Sequence, residues 1–160
     1  MRLNSLSMKN FKKYRGAVRV EFQDGLTGIL GGNGSGKSTI VEAIAWALYG
    51  SRASTVRRDF IKNSRASERD DLEVTLSLQH DGKEMTVLRA MRGKGMAPEA
   101  RLRIDGELVA SGTREVDARL SEILQISFAD FMKTFYARQK DLDNLIRDRG
   151  SEKREYLLTL

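Results

Sequence analysis

The chain has 160 residues, 40% hydrophobic and 31% charged, with a formal net charge of +6. These values are typical of one globular domain, and the absence of cysteine excludes a disulfide framework, a thiolate metal site and a cysteine nucleophile. No signal peptide and no apolar run of about 18 residues occurs, so a cytoplasmic location is predicted. The basic balance is compatible with a polyanionic partner.

The N-terminal segment is predicted to form three strands. Residues 1–11 alternate in polarity, with Leu3, Leu6 and Met8 as the apolar members. A basic turn over residues 10–16 separates this strand from a second one over residues 18–22. Residues 26–30 are predicted to form a third, short apolar strand that leads into a glycine-rich loop.

The loop reads GGNGSGKST over residues 31–39 and fits the Walker A pattern G-x-x-x-x-G-K-[ST]. Residues 40–49 follow as an almost entirely apolar segment, which predicts a buried helix, and Gly50 is placed to end it in a left-handed conformation. A strand, a loop and a helix in this order are the context that the motif requires. The alternative is a glycine-rich turn that binds nothing.

These residue types predict a site for a nucleoside triphosphate with Mg²⁺. Glycines allow backbone N–H groups to approach phosphate oxygens, and the N-terminus of the helix adds a favourable dipole. Lys37 would contact the β- and γ-phosphates, and the Ser38 hydroxyl would bind Mg²⁺. The remaining loop residues assigned to the nucleotide are Asn33, Gly34, Ser35, Gly36 and Thr39.

An antiparallel meander is predicted after a polar, arginine-rich connection over residues 51–69. Leu72, Val74, Leu76 and Leu78 alternate with polar residues, and turns are predicted at residues 81–82 and 105–106. Residues 89–98 are predicted to be a basic hairpin tip. That tip either is solvated or contacts nucleic acid phosphates through Arg89, Arg92 and Lys94. The only histidine, His80, lies beside a turn and is predicted to be a surface residue without a role.

Helices are predicted for the C-terminal third. Residues 113–124 carry Val116, Leu120, Ile123 and Leu124 on one face, and Ser127 is placed to cap a helix over residues 128–134. A further helix begins at Ser151, and the sequence stops within it, so we expect the natural polypeptide to continue. No apolar strand ending in an acidic residue follows Lys37, so the groups that anchor Mg²⁺ and polarise water are expected elsewhere.

Four segments together carry a family resemblance: residues 10–14 (NFKKY), the loop at 31–39, residues 46–50 (WALYG) and residues 135–139 (FYARQ). They resemble the N-terminal ATPase lobe of the SMC-like DNA repair ATPases, the Rad-fifty/SbcC family. The resemblance implies an α/β P-loop NTPase of ABC/SMC-head type, whose N-terminal lobe contains an antiparallel β meander plus helices. It places that lobe at residues 1–150 and the start of a coiled-coil helix at residues 151–160.

The resemblance also implies site residues. Gln139 matches the Q-loop glutamine, which contacts Mg²⁺ or the attacking water, although from the sequence alone it reads as an ordinary polar residue at a strand end. Lys12 and Lys13 match basic positions near the phosphates. Lys62, Asn63 and Ser64 fall where such heads touch the base or ribose of ATP.

The function implied is a split ATPase head in a nucleoid-associated cytoplasmic protein. A C-terminal lobe of the same protein would supply the signature motif and the acidic residues. A second copy of the head would close on ATP, and the heads would regulate a Mre-eleven/SbcD-type nuclease and bind double-stranded DNA without sequence preference. The alternatives are a chromosome or recombination ATPase head of SMC, RecF or RecN type, and a nucleotide-binding regulatory module that never hydrolyses.

Overall fold

The computed structural model describes residues 1–53 and 60–134. Its strands are β1 (Arg2–Lys9), β2 (Ala17–Glu21), β3 (Leu72–His80), β4 (Lys83–Arg92), β5 (Ala97–Ile104) and β6 (Glu107–Ser111). Its α-helices are α1 (Lys37–Tyr49), α2 (Thr113–Leu124) and α3 (Phe128–Thr134), and a 3₁₀ turn covers Gly50–Ala53. Two compact units divide the chain, Met1–Leu124 and Gln125–Leu160, and each is described by itself.

All six strands of the first unit form one antiparallel sheet in the order β2-β1-β3-β4-β5-β6. The predicted meander is confirmed as β3 to β6, with tight turns in which Asp81 and Asp105 adopt φ of 50°. Each is followed by a glycine that also has positive φ, a combination that fits the twist of a hairpin. β1 joins the meander by pairing with β3, so the N-terminal strands belong to the same sheet.

A bulge explains the spacing of apolar residues in β1. The pairing of β1 with β3 shifts between Leu3 and Ser5, so the side chains before and after this point change faces. Leu3, Leu6 and Met8 therefore reach the same side, opposite Leu78, Leu76 and Val74, although their spacing is not strictly alternate.

One face of the sheet forms the core. The four leucine and valine side chains predicted for β3 are fully buried, as are Met85, Val87 and Leu102 on the next two strands. Helix α1 packs against β3 and β4, while α2 packs against β5 and β6 and also touches α1. Val116, Leu120 and Leu124 are the buried residues of α2, which confirms three members of its predicted face, while the fourth, Ile123, is half-buried.

The prediction of a strand over residues 26–30 is wrong. No helix or strand occurs between β2 and α1, and the Leu26 and Leu30 side chains are 100% and 96% exposed. A strand is stable where a neighbour pairs with its backbone groups and covers its apolar side chains, and no described segment does either for these residues.

The predicted basic tip is also wrong in its extent. β4 runs to Arg92 and β5 begins at Ala97, so Pro98 lies within a strand and the turn contains only residues 93–96. Arg89 is 3% exposed and faces the core. Arg92 is paired with Asp71, Glu73 and Glu99, so neither arginine offers a free charge to nucleic acid. Lys94 is 78% exposed in the turn, with its Nζ 3.1 Å from Glu68 Oε2, so of the three predicted contacts only Lys94 remains largely exposed.

The prediction that His80 is a surface residue is wrong as well, since its side chain is only 17% exposed. Its Nε2 lies 3.3 Å from the carbonyl oxygen of Ile123, in the last turn of α2. Because the carbonyls at a helix C-terminus lack intrahelical partners, this position suits a ring N–H donor. His80 joins the end of β3 to the end of α2.

The described part of the second unit is α3 and the residues before it. Ser127 Oγ accepts a hydrogen bond of 3.1 Å from the Asp130 backbone N–H, which confirms the predicted cap. The predictions for residues 135–160, including Gln139 and the final helix, lie outside the described residues, and the boundary at residue 150 stays a prediction. Among the described helices, none has the length and apolar character needed to cross a membrane.

Candidate nucleotide-binding site

The predicted phosphate loop ends where α1 begins. Gly36 is the residue before the helix and has φ of 103°, a conformation that a side chain would strain. The loop before it turns tightly, because the Ser35 N–H donates to the Gly32 carbonyl over 3.2 Å. The first N–H groups of α1, which have no partner within the helix, therefore lie next to the loop, where they could bind an anion.

Lys37 is the first residue of α1, and its side chain returns along the loop. Its Nζ donates to the carbonyl oxygens of Gly31 at 2.7 Å and Gly32 at 2.8 Å. The ammonium group therefore lies directly over the loop, where a phosphate cradled by the loop would meet it.

The N-terminal turn supports the loop from behind. Phe11 is 1% exposed, and its ring centroid lies 5.6 Å from that of Trp46 on α1. The Tyr14 ring packs so closely on Gly36 that a Cβ there would lie 3.2 Å from it. Tyr14 thus fixes the backbone at the start of α1 by filling the space beside Gly36.

The same turn is joined to residues 61–63, about fifty positions later in the chain. The Lys12 N–H donates to the Ile61 carbonyl at 2.8 Å, and the Asn63 N–H donates to the Asn10 carbonyl at 2.8 Å. The Asn63 side-chain amide donates to the Lys12 carbonyl as well, at 2.5 Å. Phe11 and Lys62 complete this pairing as an isolated β-bridge.

Residues 12–15 and 60–65 and the phosphate loop line an open cavity of about 810 Å³, within the size range of pockets that hold small ligands. Five basic residues and one acidic residue occur among the described residues that line it. The basic residues are Lys12, Lys13, Arg15, Lys62 and Arg65, and the acidic residue is Glu42. The excess of positive charge suits a polyphosphate.

Glu42 holds one of these cations in place. It lies on α1 four residues after Ser38, so both side chains share the face that lines the cavity. Its Oε2 is 2.9 Å from Lys12 Nζ, and the two side chains are 35% and 19% exposed. Lys12 is therefore fixed at its N–H, its carbonyl and its ammonium group.

The structure brings most predicted site residues together. Lys12, Lys13, Gly34, Gly36, Ser38, Thr39, Lys62, Asn63 and Ser64 line the cavity. Asn33 and Ser35 are exposed in the loop, and Lys37 lies over it. The Asn63 amide is already used by the protein, since its Oδ1 also accepts from the Arg65 N–H at 2.9 Å.

The residues present fit a Mg²⁺ ion only in part. Ser38 lies exposed at the start of α1 on the cavity wall and offers one oxygen ligand. Among the described residues, no group of three or more histidine, cysteine, aspartate or glutamate side chains could hold a metal ion. Mg²⁺ is commonly held by one or two protein groups together with substrate phosphates, which agrees with a single hydroxyl here.

Sequence reasoning missed Glu42, Tyr14 and Phe60 as residues of the site. Glu42 could have been found from its spacing of four from Ser38 on one helix face. Tyr14 belongs to the segment that carried the family resemblance, but no local pattern placed its ring on Gly36. Phe60 follows a polar connection, and nothing in its spacing indicated a cavity.

A comparison with known families decides the classification. The profile of the family described as AAA domain matches residues 5–159, almost the whole chain. The chain belongs to the AAA domain family.

The sequence search confirms the resemblance to SMC-like DNA repair ATPases. It is 29% identical over 157 residues to the DNA double-strand break repair Rad50 ATPase of Methanococcus maripaludis, covering 98% of this chain and 15% of that protein. It is 30% identical over 155 residues to the protein of the same name from Archaeoglobus fulgidus, covering 95% and 16%. The chain thus spans about a sixth of the length of these relatives.

A solved structure confirms the fold class of this AAA domain chain. The SMC head domain from Thermotoga maritima matches with a TM-score of 0.60 and 26% identity, covering 91% of this chain and 51% of that one. The antiparallel sheet with its helices is therefore the architecture of an ABC/SMC-type head, as the sequence predicted.

Proposed function

We propose that this chain is the ATP-binding half of a DNA repair ATPase head, a head that acts at double-strand breaks. The observation that carries the proposal is the basic cavity at the N-terminus of α1, with Lys37 over the phosphate loop and Ser38 on the wall. The similarity to Rad50 ATPases over nearly the whole chain supports the assignment to DNA repair.

Within this site, each residue has a distinct task. The loop backbone and Lys37 bind the β- and γ-phosphates, and Lys12 and Lys13 add positive charge beside them. The Ser38 hydroxyl would hold the Mg²⁺ that accompanies ATP, and the bound ion would neutralise charge that develops on the phosphates. Gln139 contacts Mg²⁺ or the attacking water and relates nucleotide state to lobe movement.

ATP hydrolysis by this head requires a C-terminal lobe of the same protein. Two features support this part of the proposal: the sequence offers no apolar strand ending in an acidic residue after Lys37, and Leu26 and Leu30 are exposed beside the loop. A strand from that lobe would pair with residues 26–30 and cover both leucines. That lobe would supply the acidic Mg²⁺-anchoring residue and the signature motif.

Two heads close on ATP and reopen after hydrolysis. Each nucleotide is held between the phosphate loop of one head and the signature motif of the other, so ATP shifts the population toward the closed pair. The closed heads regulate a Mre-eleven/SbcD-type nuclease. They bind double-stranded DNA through phosphate contacts, so DNA affinity is independent of sequence and falls steeply with salt.

A second candidate is a chromosome-organising head of SMC type, because the fold matches the SMC head from Thermotoga maritima. The two candidates differ in the full-length protein. A Cys-x-x-Cys zinc hook in the middle of the coiled coil indicates the repair ATPase, whereas a large hinge domain indicates an SMC protein.

Turnover of Mg-ATP, measured for this chain alone and then with the C-terminal segment of the same gene added, tests the proposal. We expect no turnover by the chain alone and turnover of second order in head concentration with the segment. Lys37→Ala should fold normally and lose triphosphate binding. Turnover by the 160 residues alone, or micromolar ATP binding retained in folded Lys37→Ala, would contradict the proposal.

A further inference from the structure

An aromatic side chain lines the same cavity as the phosphate loop. Phe60 is 67% exposed, and it belongs to the cavity wall together with Ser64 and Arg65, while Gly34, Gly36 and Ser38 form the phosphate-binding part. Among the described residues that line the cavity, Phe60 alone carries an aromatic ring. A single exposed phenylalanine is ordinary, but this one lines a basic cavity beside the phosphate loop, and packing does not explain that place.

The neighbouring amide is not free to read a base. Asn63 is 8% exposed, its Nδ2 donates to the Lys12 carbonyl, and its Oδ1 accepts from the Arg65 N–H. The predicted contact of Asn63 with the base or ribose would require it to break these bonds. The wall therefore offers an exposed phenyl ring to a base, while the asparagine side chain is bonded to the backbone of the wall.

We propose that Phe60 is the stacking platform for the base of the bound nucleotide. The inference rests on the proposed function, because it assumes that the loop binds the phosphates. Every nucleobase has a π face, so a phenyl ring binds the base without reading its hydrogen-bonding edge. Phe60 then contributes affinity for a nucleoside triphosphate over inorganic triphosphate, and it discriminates little between adenine and guanine.

Calorimetric titration of the chain with Mg-ATP, Mg-GTP and inorganic tripolyphosphate tests the proposal. In the native chain, we expect both nucleotides to bind more tightly than tripolyphosphate. Phe60→Ala should weaken ATP and GTP binding about tenfold and leave tripolyphosphate binding unchanged, whereas Phe60→Trp should keep nucleotide affinity. Leu108→Ala, which truncates a similarly exposed apolar residue on β6, is the matched control.

The outcomes separate this inference from the function on which it rests. A native chain that binds neither nucleotide nor tripolyphosphate contradicts the phosphate-loop assignment itself. Unchanged ATP affinity in Phe60→Ala, or an equal loss for ATP and tripolyphosphate, overturns the stacking role alone. If Phe60→Ala keeps its ATP affinity but dimerises more weakly on ATP, Phe60 belongs to the contact between heads, and the stacking role is again overturned.

Discussion

Arg89 shows how one buried cation can tie three elements together. Its Nε donates to the Ala47 carbonyl at 2.7 Å, and its Nη2 donates to Asp117 Oδ1 at 2.6 Å. The charge lies at the C-terminus of α1, where the helix dipole favours a cation. Burial lowers the pKa of Arg89 and Asp117 opposes that shift, but an arginine keeps its charge in proteins.

Arg89→Met should lower the free energy of unfolding by about 3 kcal/mol, because it leaves the Asp117 carboxylate and carbonyls at the end of α1 without a donor. Urea denaturation followed by circular dichroism measures the change. The control is Arg103→Met, which removes an exposed arginine bonded to the Gly106 carbonyl. Equal, small losses in both variants would show that Arg89 contributes no more than a surface arginine.

Gly50 is required beside Arg89 for two reasons. Its φ of 59° with ψ of −133° is a conformation that side chains rarely adopt, and a Cβ there would lie 2.7 Å from Arg89 Nη1. We expect Gly50→Ala to cost about 2 kcal/mol or more of unfolding free energy. Gly95→Ala is the control, since no atom lies within 4 Å of its Cβ position. A thermal melt of Gly50→Ala that matches the native chain would refute the requirement.

At the scale of elements, Asp71 joins the meander to the N-terminal turn. Its carboxylate accepts from the Gly93 N–H at 2.8 Å and pairs with Arg92, while its backbone carbonyl accepts from the Asn10 amide at 2.9 Å. The Gly93 hydrogen bond, more than the Arg92 pair, holds the pKa of Asp71 below its ordinary value of 3.8, against the opposing effect of burial.

Because the folded-state pKa is lowered, Asp71 stabilises the fold above pH 3.8 and loses this contribution as pH falls through its folded pKa. Asp71→Asn should be less stable than the native chain at neutral pH, and the difference should shrink below about pH 4. Unfolding free energies from urea titrations between pH 7 and pH 2 measure this convergence. Asp24→Asn, an exposed partner of Arg2, is the control. A difference that is constant with pH would contradict the assignment.

The sequence predicted those elements whose own side-chain pattern determines whether they form a strand or a helix. The alternation in β3 is visible because one face is buried, and α1 follows from its apolar run after the loop. The burial of Arg89 was not predicted, because charged residues are rarely buried. Only its hydrogen bonds to carbonyls at the end of α1 explain why it is buried. Residues 26–30 have strand-like composition, but a strand also needs a neighbour.

At the scale of the whole molecule, the site was predicted in part. The phosphate loop follows from its motif, whereas the cavity wall depends on backbone bonds between residues 10–12 and 61–63. Such bonds carry no side-chain signature, so no spacing in the sequence reveals them. The resemblance placed Lys12 and Lys62 near the nucleotide, and the structure supplies the reason that they lie near each other.

Leu26 and Leu30 concern the assembly of the whole molecule, because no described residue of this chain covers their side chains. We expect Leu30→Asp to leave the unfolding free energy of the chain unchanged, since the side chain is 96% exposed, and to weaken its association with the C-terminal segment at least tenfold. Sedimentation of the mixed segments measures the association. Leu108→Asp on β6 is the control, and equal binding by Leu30→Asp and native chain would show that the proposed strand pairing is absent.

The bridge between Phe11 and Lys62 has a consequence for the order in which the protein matures. The phosphate loop lies between these two residues in the chain, so its motif leaves the ribosome before the segment that completes its pocket. Bringing such distant segments together is entropically slow compared with forming the α1 helix. Nucleotide affinity should therefore arise late in folding, after synthesis has passed residue 63, and a nascent chain would carry an intact motif that cannot yet hold its ligand.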